Sequence, residues 1–586
     1  MAGLRTYFSR RKTIKPSRVK ISDGREKSLF AFHLVFWIAA LFLGACHNWA
    51  VRHVMDEDGI SYFDMADAYF RGDWKVAINS FWSPFYPWLL GLAMKILHPI
   101  RYWEFGIAHL VNFLTYVVSL ACFSFFMTEL IRYKKSKYRP GTVELPEWIW
   151  ICFGYTLFIW SSLNLNDMLF ATPDVCVTIF VYLAFGFLVC IWNGSRDWLT
   201  FILFGCVLGL GYLCRAYMFP LAFIFWACAL ISMRNLKKAI PRVLVSVFFF
   251  LMFAIPLSIA ISKTQGRATF GDQFSTKYFT HVNNLDWYVN DGVSEFGVPL
   301  HPPQKVFDAP KIYQFATSYR ETYPLHYRHA YWQQGLKPKF KLGEYLKFLG
   351  KMGVYYYYVA FVHHLGSIFV VFLILFLMSD YSYGQRFKNL FKQWPIFIPA
   401  LCGLGIFFLI HPAWRYIFPF VTVMIMALFS SVRLRESLET KKLIVYSMLT
   451  VVGFMWIPIS AYGGKRVVKT ILDLTQGETP SSHVEWQVYD GLKRMGIQDG
   501  DPVASLGSSN SVYWPRLLRS QIISELPDDQ IEFFWRSNPD RQALALKAFK
   551  STGAKVLVAV NAPPNALQRG WKRIGETNHY VYFLQA

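Results

Sequence analysis

Pro84-Phe-Tyr-Pro-Trp-Leu-Leu-Gly-Leu-Ala-Met-Lys-Ile-Leu-His98 decides how this chain is laid out. The stretch is apolar enough to enter a membrane, but it is short and carries Lys95. A spanning helix needs about 20 apolar residues. If the stretch spans, the loops at 132–139 (RYKKSKYR) and 234–242 (RNLKKAIPR) fall on the outer side. That arrangement opposes the bias of Lys and Arg toward the cytoplasm. If it lies flat on the outer interface, those two loops, 386–392 (RFKNLFK) and 433–442 all fall inside. The charge count therefore predicts an interfacial helix.

Outward from it, Phe30–Val51 reads as a retained first span, since a cleaved signal would hold its apolar core much nearer the start. Residues 1–29 form a basic cytoplasmic tail. Further runs long enough to span lie near 105–131, 147–163, 174–192, 199–213, 217–232, 243–262, 358–378, 395–411, 416–431 and 443–461. The expectation is a polytopic α-helical membrane protein with about eleven transmembrane helices over 30–461. Segments 52–104, 263–345 and 462–586 then lie on the outer side.

Composition agrees. Of 586 residues, 54% are hydrophobic and 17% charged, against about 25% charged in an ordinary soluble chain. The mean hydropathy is +0.28. A net charge of +23 would suit nucleic acid if it were spread over one surface. Here it is confined to short segments between apolar runs, so nucleic-acid binding is excluded as the main role. All 9 Cys lie in apolar runs, and no pair has zinc spacing.

Residues 462–586 differ. Val503–Leu506, Gln521–Leu526, Lys555–Val560 and Tyr580–Leu584 read as short strands alternating with helical patterns at 484–496 and 540–553. This predicts a small α/β domain. No phosphate-binding fingerprint is present in it.

Chemistry-bearing residues collect at the outer ends of spans. Directly after the first span, Met55-Asp-Glu-Asp-Gly-Ile-Ser-Tyr62 sets carboxylates beside aromatics at the membrane surface. Two readings stand: a solvated acidic helix start, or a carboxylate acting as general base on an incoming hydroxyl. Asp58, Asp174, Arg215, His411 and Arg415 all fall on the same outer face. Thr172-Pro173-Asp174 is also an ordinary helix start, and His411 before Pro412 reads as a helix-end residue. Arg215 and Arg415 could snorkel to headgroups, yet two Arg on the outer side run against the charge bias and call for a function. Tyr355–Tyr358 reads as an interfacial belt. His281, His326 and His329 match no metal motif and read as structural.

Asp58-Gly-Ile-Ser-Tyr62, Arg71-Gly-Asp-Trp74 and Ser83-Pro-Phe-Tyr-Pro-Trp-Leu-Leu90 together resemble the first outer loop of GT-C membrane glycosyltransferases. The closest types are the protein O-mannosyltransferases and the lipid A aminoarabinose transferases. Arg415-Tyr416 within His411-Pro-Ala-Trp-Arg-Tyr-Ile-Phe-Pro419 is similar to that family's late Arg-Tyr…Pro element. Thr172-Pro-Asp174 and Gly209–Arg215 match its acidic and cationic positions more loosely. The resemblance implies a GT-C fold with a variable outer domain. It implies an inverting transfer of sugar from a polyprenyl-phosphate donor to a glycan, lipid or protein acceptor at the outer face of the inner membrane. Asp58 would be the catalytic base, with Asp56 as the alternative, because the family's Asp-Glu pair stands here as Asp56-Glu57 while Gly59 follows Asp58. Arg215 and Arg415 would hold the donor phosphate, and Tyr62, Asp174, Tyr86 and His411 are candidates for substrate contact. No metal or other cofactor is expected. A lipid-linked sugar flippase or transporter, and a non-catalytic envelope-assembly scaffold, are the rival classes.

Overall fold

The computed structural model describes residues 23–584 apart from 139, 144, 167, 284, 286–295, 316, 318–319, 359–364, 380, 411–412 and 508. His411 and part of 280–287 therefore lie outside the described residues. The principal membrane-region helices are α1 (Asp23–Ala50), α2 (Glu57–Arg71), α3 (Phe85–Leu97), α4 (Glu104–Ser136), α5 (Glu147–Trp160), α6 (Asp174–Trp192), α7 (Trp198–Cys214), α8 (Met218–Met233), α9 (Leu236–Gln265), α10 (Gln273–His281), α11 (Gly366–Leu377), α12 (Tyr383–Phe391), α13 (Trp394–Ile410), α14 (Trp414–Ser431) and α15 (Leu438–Gln476).

Among the described residues seven helices are long and apolar enough to cross a membrane, or up to eight if α12 and α13, bent by 69°, are one span. The other three expected spans, at 199–213, 217–232 and 358–378, correspond to the shorter apolar helices α7, α8 and α11. Helix α7 nests closely against α9: a Cβ on Gly205 would lie 2.1 Å from the Ser246 carbonyl oxygen. Only glycine permits that approach.

The deciding stretch becomes α3, whose 13 residues reach about 20 Å. That is well short of a hydrocarbon core about 30 Å thick. One side, with Tyr86, Leu90 and Gly91, is buried, while Trp88, Leu92 and Ile96 are exposed. Helix α15 is the opposite case, 39 residues or about 58 Å long. Its C-terminal turns are held by the end of the first span: Lys469 Nζ donates to the Ala50 carbonyl at 2.6 Å, and Arg52 Nη1 meets Asp473 at 2.7 Å. The expected domain start at 462 thus falls inside a helix, because apolarity fades there while helical hydrogen bonding does not.

Beyond the membrane region lies a seven-stranded sheet. Its strands are β1 (Gln304–Asp308), β2 (Lys311–Gln314), β3 (Val503–Leu506), β4 (Ile522–Leu526), β5 (Val556–Val560), β6 (Lys572–Arg573) and β7 (His579–Phe583), in the order β1-β2-β4-β3-β5-β7-β6. The central β4-β3-β5 pairs are parallel and the outer pairs antiparallel. Alternate residues of β5 feed opposite cores, Val556 and Val558 on one side, Leu557 and Ala559 on the other, as the two-residue period of a strand covered on both faces requires. Strands β1 and β2 come from the segment 263–345, so that segment and the C-terminal region build one sheet rather than two separate bodies.

Ion pairs fix this unit over α2. Arg516 is 2% exposed; its Nη1 meets Asp64 at 2.9 Å and Asp67 at 2.8 Å, and its Nε meets Glu104 at 2.8 Å. Arg519 adds two bonds to Glu104, at 2.7 and 2.8 Å. The Asp64 carboxylate also accepts the Thr322 N–H at 2.7 Å and its hydroxyl at 2.9 Å.

Candidate active site

The acidic stretch opens α2, and the two candidate bases part company there. Asp56, just before the helix, is buried, and its Oδ1 accepts the Ala171 N–H at 2.8 Å. It ties the chain ahead of α6 to the start of α2. Asp58 instead faces a cavity of ≈ 250 Å³ whose wall also carries Trp82, Arg215, Tyr217, Lys277 and Tyr416. Gly59 follows from the same packing: a Cβ there would lie 2.7 Å from the Ala171 Cβ and 2.9 Å from Asp56 Oδ1. A side chain at this position has no room here.

A ladder of charge runs behind the cavity. Arg415 Nη2 donates to Asp58 Oδ2 at 3.0 Å and to the Tyr416 hydroxyl at 3.0 Å, and its Nε lies 3.5 Å from Asp174 Oδ2. Asp174 is 2% exposed and also pairs with Arg215 and accepts the Thr172 hydroxyl at 2.7 Å. The Tyr416 ring stands near both guanidinium groups, at 5.3 Å from Arg215 and 5.1 Å from Arg415. The Nε–H of Arg215 is buried and has no hydrogen-bond acceptor, which leaves a cationic donor uncommitted at the cavity wall. Leaving such a donor dry is costly unless a ligand completes it.

The segment 263–345 brings two more groups. The Asp272 N–H bonds the Ser80 carbonyl at 2.8 Å and Gln273 Nε2 bonds the Phe81 carbonyl at 2.6 Å. These contacts dock α10 on the chain at 80–82 and carry Lys277 to the cavity. His326 Nε2 lies 3.4 Å from Asp58 Oδ1. Its neighbour Tyr327 holds it there: the Tyr327 carbonyl accepts from Asn79 at 2.9 Å and Trp82 at 3.2 Å, and its hydroxyl donates to the Val76 carbonyl at 2.8 Å.

These surroundings push the two carboxyls apart. Burial pushes Asp58 up, but His326, Arg415 and Lys277 outweigh it and hold the carboxyl below the usual range. Burial and the charge of Asp58 push Asp56 the other way, well above it. Burial also lowers Lys277, partly offset by Asp58. Asp58 is thus an ionised, cavity-facing carboxylate and Asp56 a neutral internal one.

No protein-family model matches the chain, and no curated protein matches it. Among solved structures it is similar to the Archaeoglobus fulgidus oligosaccharyltransferase complexed with zinc and sulfate. The two share 11% identity and a TM-score of 0.44, over 90% of this chain and 68% of that one.

Of the residues singled out in the sequence, the fold brings Asp58, Asp174, Arg215 and Arg415 together. It keeps Tyr62 and Tyr86 away from the cavity wall. Both rings are fully buried behind Trp82: Tyr62 packs edge-on against Trp82 at 5.1 Å and Tyr86 at 5.4 Å, and Tyr86 donates to Asn112 at 2.8 Å. Asp174 lies behind the wall as the shared partner of two arginines. Lys277, Trp82 and Tyr217 line the site without having been expected there. The one signal for His326 was the density of His and aromatic side chains over Tyr323–Trp332. Among the described residues no group of three or more His, Cys, Asp or Glu is arranged to hold a metal ion.

Proposed function

We propose that this chain is an inverting GT-C-type glycosyltransferase that moves a sugar from a polyprenyl-phosphate donor to an acceptor hydroxyl at the outer face of the inner membrane. The observation that carries the reading is one cavity wall bearing a carboxylate, Asp58, and two cations, Arg215 and Lys277. Its remaining lining includes Phe274, Phe407 and Leu409, of which Phe274 and Leu409 are exposed. A lipid-linked sugar phosphate has the matching make-up: an apolar tail for the apolar lip, an anion for the cations, and an anomeric carbon between them and the base.

In the proposed step Asp58 takes the proton of the acceptor hydroxyl as its oxygen attacks the anomeric carbon from the side opposite the phosphate. The bond from that carbon to the phosphate oxygen breaks with its electron pair, and the leaving polyprenyl phosphate gains one negative charge. Cations already in place stabilise that charge without reorganisation. Arg415 has two partners to choose between. Its contact with Asp58 keeps that carboxylate weakly basic; a bound phosphate would draw the guanidinium toward itself and so release Asp58 as a stronger base. The displacement itself calls for neither metal nor other cofactor.

A flippase or transporter would concentrate ionisable groups and broken helices near mid-membrane, whereas these groups sit at helix ends. A scaffold has no use for a carboxylate on a cavity wall. The test is transfer of labelled sugar from polyprenyl phosphate by membranes holding the wild-type chain or Asp58→Asn. Transfer by wild type alone supports the reading, as does build-up of the lipid-linked sugar in cells holding the variant. Equal transfer, or none with any lipid-linked sugar, overturns it.

A further inference from the structure

Arg215-Ala216-Tyr217 is the tight turn between α7 and α8, and all three residues line the Asp58 cavity. Arg215 leaves α7 in an extended conformation, φ −151° and ψ 129°. Its carbonyl then accepts the Met218 N–H at 3.1 Å as α8 begins. The chain ahead of α10 closes on the turn: a Cβ on Gly271 would lie 3.2 Å from the Ala216 Cβ. Phe407 of α13 and Phe420 of α14 meet the Tyr217 ring edge-on, with centroids 4.8 and 6.1 Å away. The ring is thus fixed by its neighbours, independently of its hydroxyl.

That hydroxyl has no such support. Among the described residues lining the cavity, two carry a buried polar atom without a hydrogen-bond partner, Arg215 at Nε and Tyr217 at Oη. Tyr217 is 9% exposed and Arg215 7%. Phenylalanine would fill the same space without burying an unmet hydroxyl, which is costly. Tyr416, on the same wall, has its hydroxyl met by Arg415 at 3.0 Å. The charges of Arg215 and Asp174 both act on the Tyr217 hydroxyl, which sets it beside the arginine. Two unmet donors from one turn, one of them cationic, match an oxyanion better than a neutral sugar hydroxyl. From Tyr217 the wall continues through Pro220, Phe407 and Leu409, so the hydroxyl stands where the cationic part of the cavity gives way to the apolar part. In a prenyl phosphate, the phosphate occupies that boundary.

We propose that Tyr217 is a specificity-determining residue: its hydroxyl donates a hydrogen bond to the phosphate of the lipid-linked donor, beside Arg215 Nε, and so distinguishes a prenyl phosphate from a lipid with the same tail and no anion. This assignment rests on the donor reading above. The hydroxyl adds selectivity that the cations alone do not supply, because it acts only on an oxygen placed at the edge of the apolar lip.

The full-length protein in nonionic detergent, titrated with undecaprenyl phosphate or undecaprenol and read by native mass spectrometry, tests this without any transfer reaction. Wild type should prefer the phosphate. Tyr217→Phe should weaken phosphate binding about tenfold or more, the range of a hydrogen bond to a charged group. It should leave undecaprenol binding and the thermal unfolding midpoint unchanged, since the lost hydroxyl has no partner within the protein. Phe407→Leu, which loosens the ring but keeps the hydroxyl, should weaken both lipids in like proportion. If Tyr217→Phe also weakens both alike, Tyr217 acts by packing and the proposal falls. If Tyr217→Phe keeps the wild-type preference, the proposal falls and the donor reading stands. A wild type that does not prefer the phosphate overturns both.

Discussion

Asp58→Asn and Asp56→Asn are the same chemical change two residues apart, and the geometry predicts opposite outcomes. At Asp58 the amide keeps the size of the side chain but removes the oxygen that would take the acceptor proton. General-base catalysis contributes about 10²–10⁴-fold, so turnover should fall by that factor, a barrier increase of about 3–5 kcal/mol. Donor affinity should hold or improve, since Arg415 no longer has the carboxylate it contacts at 3.0 Å. The loss should therefore sit in kcat rather than KM. At Asp56 the buried carboxyl, raised above its usual range by burial and by Asp58, is already neutral near pH 7. Its bond to the Ala171 N–H uses an oxygen that asparagine retains. Activity should stay within about threefold of wild type, because a neutral-for-neutral exchange removes no charge from the reaction. Initial rates in proteoliposomes at pH 7, with saturating and limiting polyprenyl-phosphate sugar, measure both. An inactive Asp56→Asn beside an active Asp58→Asn would transfer the base to Asp56, and two active variants would remove general-base catalysis altogether.

Arg415→Lys should lower turnover at least about tenfold with little change in donor affinity, since a planar fork serving Asp58, Asp174 and Tyr416 cannot be copied by one ammonium; Arg215→Lys should follow the same pattern, and full activity of both at saturating and limiting donor would return them to headgroup snorkelling. The acid limb of kcat/KM should lie below the usual carboxylate range, because Asp58 is held down by His326, Arg415 and Lys277 against its burial; His326→Gln removes part of that pull and should move the limb to higher pH, and an unmoved limb would separate His326 from Asp58. Arg516→Met leaves Asp64, Asp67 and Glu104 without their shared partner and should cost about 3–5 kcal/mol, read as earlier denaturant unfolding or faster proteolysis of the outer domain; unchanged resistance would mean that the network does not hold the domain. A cysteine at exposed Ala543, in a chain without its native cysteines, should label from outside intact cells, and labelling only after permeabilisation would invert the topology.

Legibility in the sequence followed the range of the interaction. Helix positions came from runs of apolar residues, a local property, and most lie within a few residues of where hydropathy sets them. The cavity-facing carboxylate was legible too, because Asp58 stands one loop beyond the first span among aromatics. Its partners were not. Lys277 and His326 reach Asp58 only after α10 and Tyr327 dock on residues 76–82, and no local pattern encodes that docking. Strands β1 and β2 stayed hidden for a similar reason. Each is only 4–5 residues long, and β2 finds its partner β4 more than 200 positions away. The aromatics misled in the other direction: Tyr62 and Tyr86 sit beside the acidic stretch in sequence, but helical geometry turns their rings into the packing behind Trp82.

Charge was read at the coarsest level and carried the most information. Counting Lys and Arg per loop gives an expected orientation because the count is insensitive to where each side chain points. The same insensitivity hides what becomes of them after folding. On the Asp58 face, two arginines that break the charge bias converge on one carboxylate, Asp174, and by sharing it are held in fixed positions beside Asp58. Elsewhere, cations from four separate basic stretches line a second cavity. A buried cation with a fixed counter-ion is preorganised, and reacts to charge that develops later. By that measure the first face suits a reaction.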